Sequence, residues 1–594
     1  MSLPQLTIAC LVLFLLEGCA SPNEENGPVR PNIVLILTDD QGWGDLSMNG
    51  NEMLSTPNID KMASEGVTFD RFYVCPVCSP TRAEILTGRY HVRGGVYSTS
   101  AGGERLDLDE VTFAQLLQEA GYQTAAFGKW HNGMQYPYHP NARGFAEYYG
   151  FCSGHWGNYF DALMEHNGEL VMGNGFMVDD LTDKAIEFLE ANQANSFFVY
   201  LPFNTPHSPM QVPDRWWNRF KNKELSQLHR FRNQEDLDHT RAAYAMCENI
   251  DWNVGRVLDK LEALSLTENT IVIFLSDNGP NGARWNGDMK GRKGSTDEGG
   301  VRSPMIMQWK GTLQAGKIID QISGAIDLFP TLMDLAGIKH QNDKSLDGRS
   351  LRPLLMEGDP EWEDRYIFNY WNERLSVRSQ QYRLDHVDQL YDMDIDPGQR
   401  TDISGSADEI FEAMKVAKTE WERTVLTELD RTKPRSFPVG HRDFRYTQLP
   451  ARDGLAHGNI SRSNRYPNCS FFTNWTSVDD SITWEVEVQA AGQYEAVIYY
   501  TCVAENMGVT LQLSCGEARV QNKITEMHDP PLTGMEHDRV PRIESYVKDF
   551  KPFSLGNIKL QQGKGTMTLK ATNIPGQGAV DFRLMMLNRA EEKL

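Results

Sequence analysis

The segment Asn32-Ile33-Val34-Leu35-Ile36-Leu37-Thr38-Asp39-Asp40 sets the architecture. It is apolar at consecutive positions from Ile33 to Leu37, as in a strand buried on both faces, and it ends abruptly in two carboxylates. Three further runs share this form. Thr270 to Leu275 leads into Ser276-Asp277-Asn278, Thr124 to Phe127 into Gly128-Lys129-Trp130-His131, and Phe197 to Leu201 toward Pro206-His207. Between them lie segments of helical period: one opened by Thr56-Pro57 and closed by Gly66, then Thr112 to Ala120, Leu181 to Glu190 and Arg241 to Leu264. Buried strands alternating with helices predict an α/β fold, a large, mixed and mostly parallel sheet sandwiched by helices, over residues 30–345.

Farther along, residues 346–440 read as a smaller α+β subdomain ending in an acidic helical stretch, Ala407 to Leu429. Thr432 to Pro450 reads as a linker. From 450 to 594 the texture changes to alternating strands at Trp484 to Val488, Tyr494 to Tyr500, Val509 to Leu513, Thr566 to Lys570 and Phe582 to Leu587, which predicts an appended all-β sandwich. Trp475, Trp484, Tyr499 and Tyr500 either form a sugar-stacking face, as in a carbohydrate-binding module, or fill the sandwich core.

At the other end, the apolar run Ile8 to Leu16 has the length of a signal-peptide core, although no Lys or Arg precedes Arg30. Leu16-Glu17-Gly18-Cys19 resembles a bacterial lipoprotein box, which places a lipid anchor at Cys19 and residues 1–19 in the leader. The protein is expected to be exported, periplasmic or an outer-membrane lipoprotein in a bacterium and secreted otherwise. The 594 residues carry 58 Lys and Arg against 81 Asp and Glu, a net charge of −23 that excludes nucleic acid as a partner. Nine cysteines are too sparse for a disulfide scaffold, leaving one bridge open among Cys469, Cys502 and Cys515.

Ligands of open α/β sheets lie outside the carboxyl ends of the strands, so the strand exits mark the site. Asp39, Asp40, Asp277 and the amide of Asn278 can meet there. Oxygen ligands of this kind suit a hard divalent cation, Ca²⁺ or Mg²⁺, rather than zinc. The stretch Cys78-Ser79-Pro80-Thr81-Arg82 through Gly88 adds a helix start, with Ser79 as its cap and Pro80 in the first position, which sets Cys78 just before an anion-favouring N-terminus.

With these residues in view, the sequence resembles the formylglycine-dependent sulfatases of the alkaline-phosphatase-like superfamily over about residues 30–430. Cys78-Ser79-Pro80-Thr81-Arg82 with Thr87-Gly88 resembles the motif whose cysteine is oxidised to formylglycine, Thr81 standing where Ser or Ala is commoner. Gly121 to Thr124 with Gly128 to His131 resembles the second family motif. Lys290 to Gly294 with Glu298 to Pro304 resembles the segment carrying the sulfate-binding lysine, and Leu390 to Asp392 with Asp396-Pro397 the closing motif. The resemblance implies a formylglycine at residue 78, made by a formylglycine-generating or sulfatase-maturating enzyme, which as a hydrated aldehyde attacks the sulfur of a sulfate ester. Asp39, Asp40, Asp277, Asn278 and the modified residue 78 would hold the cation. Arg82 would orient the diol, Lys129 and Lys293 would neutralise sulfate, His207 would protonate the leaving alcohol, and His131 would take the second hydroxyl's proton.

Two rivals share the motifs: a phosphodiesterase or phosphonate monoester hydrolase on the same fold, and a noncatalytic glycan-binding lipoprotein. For the substrate, Arg284 to Lys293 carries four basic residues against Asp288, a local positive field. Arg284, Trp285 and His155 are the candidate substrate contacts. Together with the resemblance to polysaccharide-degrading sulfatases, they point to a sulfated saccharide, with sulfated galactose or N-acetylgalactosamine favoured.

Overall fold

All eight residues of the strand Asn32–Asp39 are buried. Their side chains alternate between two cores: Val34 and Ile36 face one, and Ile33, Leu35 and Leu37 the other. The structure, a computed structural model, describes residues 30–339, 344–358 and 360–590. The expected leader and lipid-anchor residue Cys19 lie outside the described residues.

Asn32–Asp39 sits near the middle of a ten-stranded sheet. The five central strands, in the order Thr270–Ser276, Asn32–Asp39, Phe197–Pro206, Gln123–Lys129 and Glu147–Phe151, all run parallel. Antiparallel strands flank them, among them Met305–Gln308 on one side and Leu163–His166 on the other. Helices Pro57–Ser64, Met177–Ala191 and Leu237–Ala263 cover one face, and Cys78–Thr87, Phe113–Glu119 and Leu328–Leu335 the other. With apolar side chains covered on both faces, the sheet is the α/β sandwich the strand pattern predicts.

Beyond it, a four-stranded antiparallel sheet from Ile367–Trp371 to Leu390–Asp392 packs Val377, Leu384 and Leu390 against Met414 of the helix Asp408–Thr424. Two six-stranded sheets then enclose a separate core that includes Trp484, Ile498 and Leu569. The stretch expected as a linker, 432–450, contributes to both of these sheets. Phe437–Val439 pairs in parallel with the strand Ser481–Val488, and Tyr446–Pro450 antiparallel with Asp581–Arg589. The Pro and Arg content that reads as a linker is accommodated at sheet edges, where a missing N–H costs nothing. Trp475, Trp484 and Tyr500 are core residues, 2% exposed or less, so of the two readings the core one holds for these three, and Tyr499 alone is half-buried. Cys469, Cys502 and Cys515 are free thiols. Among the described residues no helix is long and apolar enough to cross a membrane.

Candidate active site

The carboxyl ends of the central strands converge on one pocket. Asp39 closes its strand and Asp40 follows with φ 69°, a left-handed turn that Asp tolerates. Asp277 follows Thr270–Ser276 and its N–H donates to the Thr38 carbonyl at 3.0 Å, while Asp40 N–H donates to Asp277 Oδ1 at 3.1 Å. Lys129 ends the strand Gln123–Lys129 after Gly128, where φ is 137° and a β-carbon would fall 2.0 Å from the Pro202 carbonyl oxygen.

The helix carrying Cys78 runs from Cys78 to Thr87, and all of its residues are buried. Val77 occupies the cap position, so the expected cap, Ser79, lies inside the first turn and points its hydroxyl at the Glu104 carbonyl, 3.5 Å away. Cys78 is therefore the first helical residue and not the one before the helix. Thr81 ties this helix to the strand exits, donating to the Asp277 carbonyl at 2.6 Å.

Around Cys78 three carboxylates meet three cations in matched pairs. Lys129 Nζ lies 2.7 Å from Asp39 Oδ2, Lys293 Nζ 2.6 Å from Asp40 Oδ1, and Arg82 Nη2 2.8 Å from Asp277 Oδ2. The Cys78 sulfur and carboxylate oxygens of Asp39 and Asp277 all lie within 4.8 Å of one another. Burial works against charge on Asp40, but Lys293, His207 and Lys129 outweigh it and hold the carboxyl below its usual range. At Asp277 burial prevails, reinforced by Asp39, and the carboxyl is pushed up to about 6. Burial also raises the Cys78 thiol despite Lys129 and Lys293. As an unmodified thiol it is a poor nucleophile.

The donor set fits a hard divalent cation. Asp39 Oδ1 and Asn278 Oδ1 are buried without a hydrogen-bond partner, and the Asn278 amide N–H donates to Asp40 Oδ1 at 2.8 Å, turning its own oxygen free. Orphaned buried acceptors beside three carboxylates call for a positive ligand.

Arg82 also donates from Nη1 to the Lys129 carbonyl at 2.7 Å, and the Tyr200 hydroxyl lies beside its guanidinium. His131 Nε2 lies 2.9 Å from the Thr99 carbonyl, which places its proton there and leaves the buried, unpartnered Nδ1 as a bare acceptor. Burial and Lys129 keep this ring neutral, well below its ordinary value. His207 donates from Nδ1 to the Ser208 carbonyl at 2.6 Å and turns Nε2 toward Asp40 Oδ2, 3.7 Å away. Burial, aided by Lys293 and opposed by Asp40, lowers it to about 4.

Of the expected substrate contacts, only His155 joins this site: it is buried and stacks on His207 with ring centroids 5.6 Å apart. Arg284 does not contact substrate space. It is 1% exposed, pairs with Asp45 at 2.5 Å and donates to the Asp40 carbonyl at 2.9 Å, so it braces the loop that carries Asp40. Trp285 packs over Gly44, whose β-carbon would come within 3.0 Å of the indole. The expected positive field is largely cancelled, because Lys290 pairs with Asp385 and Asp297, Lys293 with Asp40 and Arg284 with Asp45, leaving Arg292 exposed. Sequence reasoning missed Asp45, and also Asn468 and Glu544 from the sandwich. Asn468 lies against the His155 ring, and Glu544 accepts the Ser208 hydroxyl beside His207. Asn468 and Glu544 reach the site from a distant part of the chain, and Asp45, five residues after Asp40, is marked only by a partner, Arg284, that lies 239 residues away.

Fold and site together define an α/β protein of the alkaline-phosphatase-like class, with three carboxylates and three cationic side chains gathered at its strand exits. Comparison with known proteins narrows this. The sulfatase family model matches residues 31–338, and the model for the C-terminal part of N-sulphoglucosamine sulphohydrolase matches 293–423. Mouse N-acetylgalactosamine-6-sulfatase is 34% identical over 60% of this chain and 72% of its own length, and human steryl-sulfatase 29% identical over 64% and 78%. The crystal structure of Ps i-CgsB in complex with k-i-k-neocarrahexaose superposes with a TM-score of 0.61 at 30% identity, covering 68% of this chain and 95% of that one. The chain belongs to the sulfatase family, whose members are sulfuric ester hydrolases.

Proposed function

We propose that this protein removes sulfate from a sulfated saccharide, with residue 78 matured to formylglycine and one divalent cation, Ca²⁺ in preference to Mg²⁺, held by Asp39, Asp40, Asp277 and Asn278. The carrying observation is the Cys78 side chain at a helix start, within 4.8 Å of the Asp39 and Asp277 carboxylates and flanked by Lys129 and Lys293. A cation bound there supplies Lewis acidity toward a hydroxyl at residue 78, and formylglycine supplies that hydroxyl as a hydrated aldehyde.

The protein's own groups account for the rest. The three carboxylates and three cations balance, so a bound divalent cation leaves the pocket net positive and Lys129 and Lys293 free to meet sulfate oxygens. Arg82, one helical turn from residue 78, orients the group there. His131 Nδ1, bare and neutral, is the base that accepts a hydroxyl proton. His207 Nε2 faces the leaving oxygen; it carries a proton only as imidazolium, a form that an incoming sulfate anion favours over the free site.

N-acetylgalactosamine-6-sulfatase is named for a sulfated amino sugar, and Ps i-CgsB was solved with a saccharide, which supports a glycan ester of galactose or N-acetylgalactosamine. We further propose maturation of Cys78 by a formylglycine-generating or sulfatase-maturating enzyme, export, and lipid attachment at Cys19. Radiolabelled fatty acid should enter the protein and be lost in Cys19→Ala. The substrate test is a panel of sulfated mono- and oligosaccharides beside an aryl sulfate. At least one sugar should be turned over with higher kcat/KM than the aryl ester; the aryl ester surpassing every sugar would overturn the glycan assignment.

A further inference from the structure

His207 follows directly on the strand Phe197–Pro206, and its ring is oriented by the next residue in the chain. Nδ1 donates to the Ser208 carbonyl at 2.6 Å, which fixes the tautomer and leaves Nε2 turned toward Asp40 Oδ2, 3.7 Å away. The direction of the Ser208 carbonyl therefore governs the direction of Nε2. One restraint on that carbonyl comes from the α/β unit: the Tyr159 hydroxyl lies 3.0 Å from the carbonyls of both His207 and Ser208, so its single proton is shared between them. The other restraint comes from the β sandwich. The Ser208 hydroxyl donates to Glu544, 336 residues farther along the chain.

Glu544 is 8% exposed, and its loop is fixed on both sides. Arg542 donates from Nε to Asp538 at 2.7 Å, and the hydroxyls of Ser545 and Ser463 stand 2.7 Å apart. The same loop reaches the ring stacked on His207. The Ser545 carbonyl lies 3.4 Å from Cys469 Sγ, and that sulfur lies 3.2 Å from His155 Nε2. By contrast, the cations Lys129, Lys293 and Arg82 are paired with Asp39, Asp40 and Asp277, all within the α/β unit. The sandwich thus braces the histidine side of the pocket and leaves the cationic side to the α/β unit.

We infer that Glu544 is a positioning residue for the leaving-group acid: by holding the Ser208 hydroxyl it sets the carbonyl that receives His207 Nδ1, and so aims Nε2 at the departing oxygen. The inference rests on the reading of His207 as that acid, and it gives the appended sandwich a part in the step. It has a chemical signature. An ester whose alcohol departs readily as an anion needs little help from an acid, whereas a poor leaving group depends on it. Loss of the brace should therefore fall on esters in proportion to the basicity of their leaving groups.

The test is kcat/KM for a series of aryl sulfates whose phenols run from acidic, as in 4-nitrophenol, to a pKa of about 10, as in phenol itself. His207→Ala removes the acid and should lower phenyl sulfate turnover about 10²-fold more than 4-nitrophenyl sulfate turnover. Glu544→Ala should show the same skew at about tenfold, and Glu544→Gln, whose amide oxygen still accepts the Ser208 hydroxyl, should bring the skew back to within about twofold of the unaltered enzyme. Added to His207→Ala, Glu544→Ala should produce no further skew. Equal losses on both esters in folded Glu544→Ala would overturn the positioning role, because general damage to the fold lowers both alike. A skew in His207→Ala without one in Glu544→Ala leaves the acid standing and removes only Glu544. Equal losses in His207→Ala would remove the acid itself, and the positioning with it. Thermal midpoints identify the folded variants; should Glu544→Ala fail to fold, Ser208→Ala deletes the same bond, and equal losses on both esters in that variant would overturn the role.

Discussion

Cys78 and Arg284 show opposite fates for residues singled out from sequence. Cys78 sits at the meeting point of the carboxylates and ammonium groups, and its raised thiol pKa makes the unmodified side chain unsuited to attack. Cys78→Ala should lower turnover on the order of 10³-fold or more while leaving the thermal midpoint nearly unchanged, because Cys78, though buried, lies among charged groups and outside the apolar core clusters. An active alanine variant would remove the nucleophile assignment. Arg284 reads as a substrate contact because a charge in an aromatic, Gly-rich loop looks exposed. Its partner, Asp45, lies 239 residues earlier, a pairing that no local pattern discloses. Arg284→Ala should leave Asp45 buried and unpaired, costing about 3–5 kcal/mol of stability. A chemical-denaturation midpoint equal to that of the unaltered protein would contradict the bracing role.

Strand exits were the most legible elements, because a strand covered on both faces must be apolar throughout and its first polar residues must then lie at its end. Helix starts were less so. Leu237–Ala263 begins four residues before the expected Arg241, since Asp236 caps it by accepting the Asp238 and His239 N–H groups, a signal that polar composition conceals. Met177–Ala191 likewise starts before Leu181, its first turn carrying Asp179 and Asp180, which favour a helix N-terminus. The helix Cys78–Thr87 holds a carboxyl that only the structure reveals as perturbed. Burial pushes Glu84 up to about 8 from 4.5. Between those values the folded chain holds a proton that the unfolded chain releases, so this contribution to stability is full below about pH 4.5 and is lost as pH rises through about 8. Glu84→Gln should therefore flatten the decline in thermal midpoint from pH 5 to 8.5. An unchanged slope would show that Glu84 is ionised in the folded state.

For the whole molecule, composition and texture distinguished an α/β unit from a β sandwich but could not show that the two are joined by buried polar contacts. Arg452 of the sandwich pairs with Glu104 at 2.8 Å, both 1% exposed, and Ser153 donates to the Asn468 carbonyl at 3.0 Å. Such a seam couples the parts, so calorimetry should show one unfolding transition, and two separated transitions would contradict that coupling. Removing the divalent cation should abolish turnover and lower that transition, because it leaves Asp39 and Asn278 oxygens unsatisfied in the interior; Ca²⁺ should restore both. A demetallated protein at full rate would refute the cation site. The central claim, that maturation of one residue turns this pocket into a sulfatase, is tested most directly by a peptide mass spectrum across residue 78 of fully active protein. The account predicts an aldehyde in place of the Cys78 thiol, whereas an intact, alkylatable thiol would contradict it.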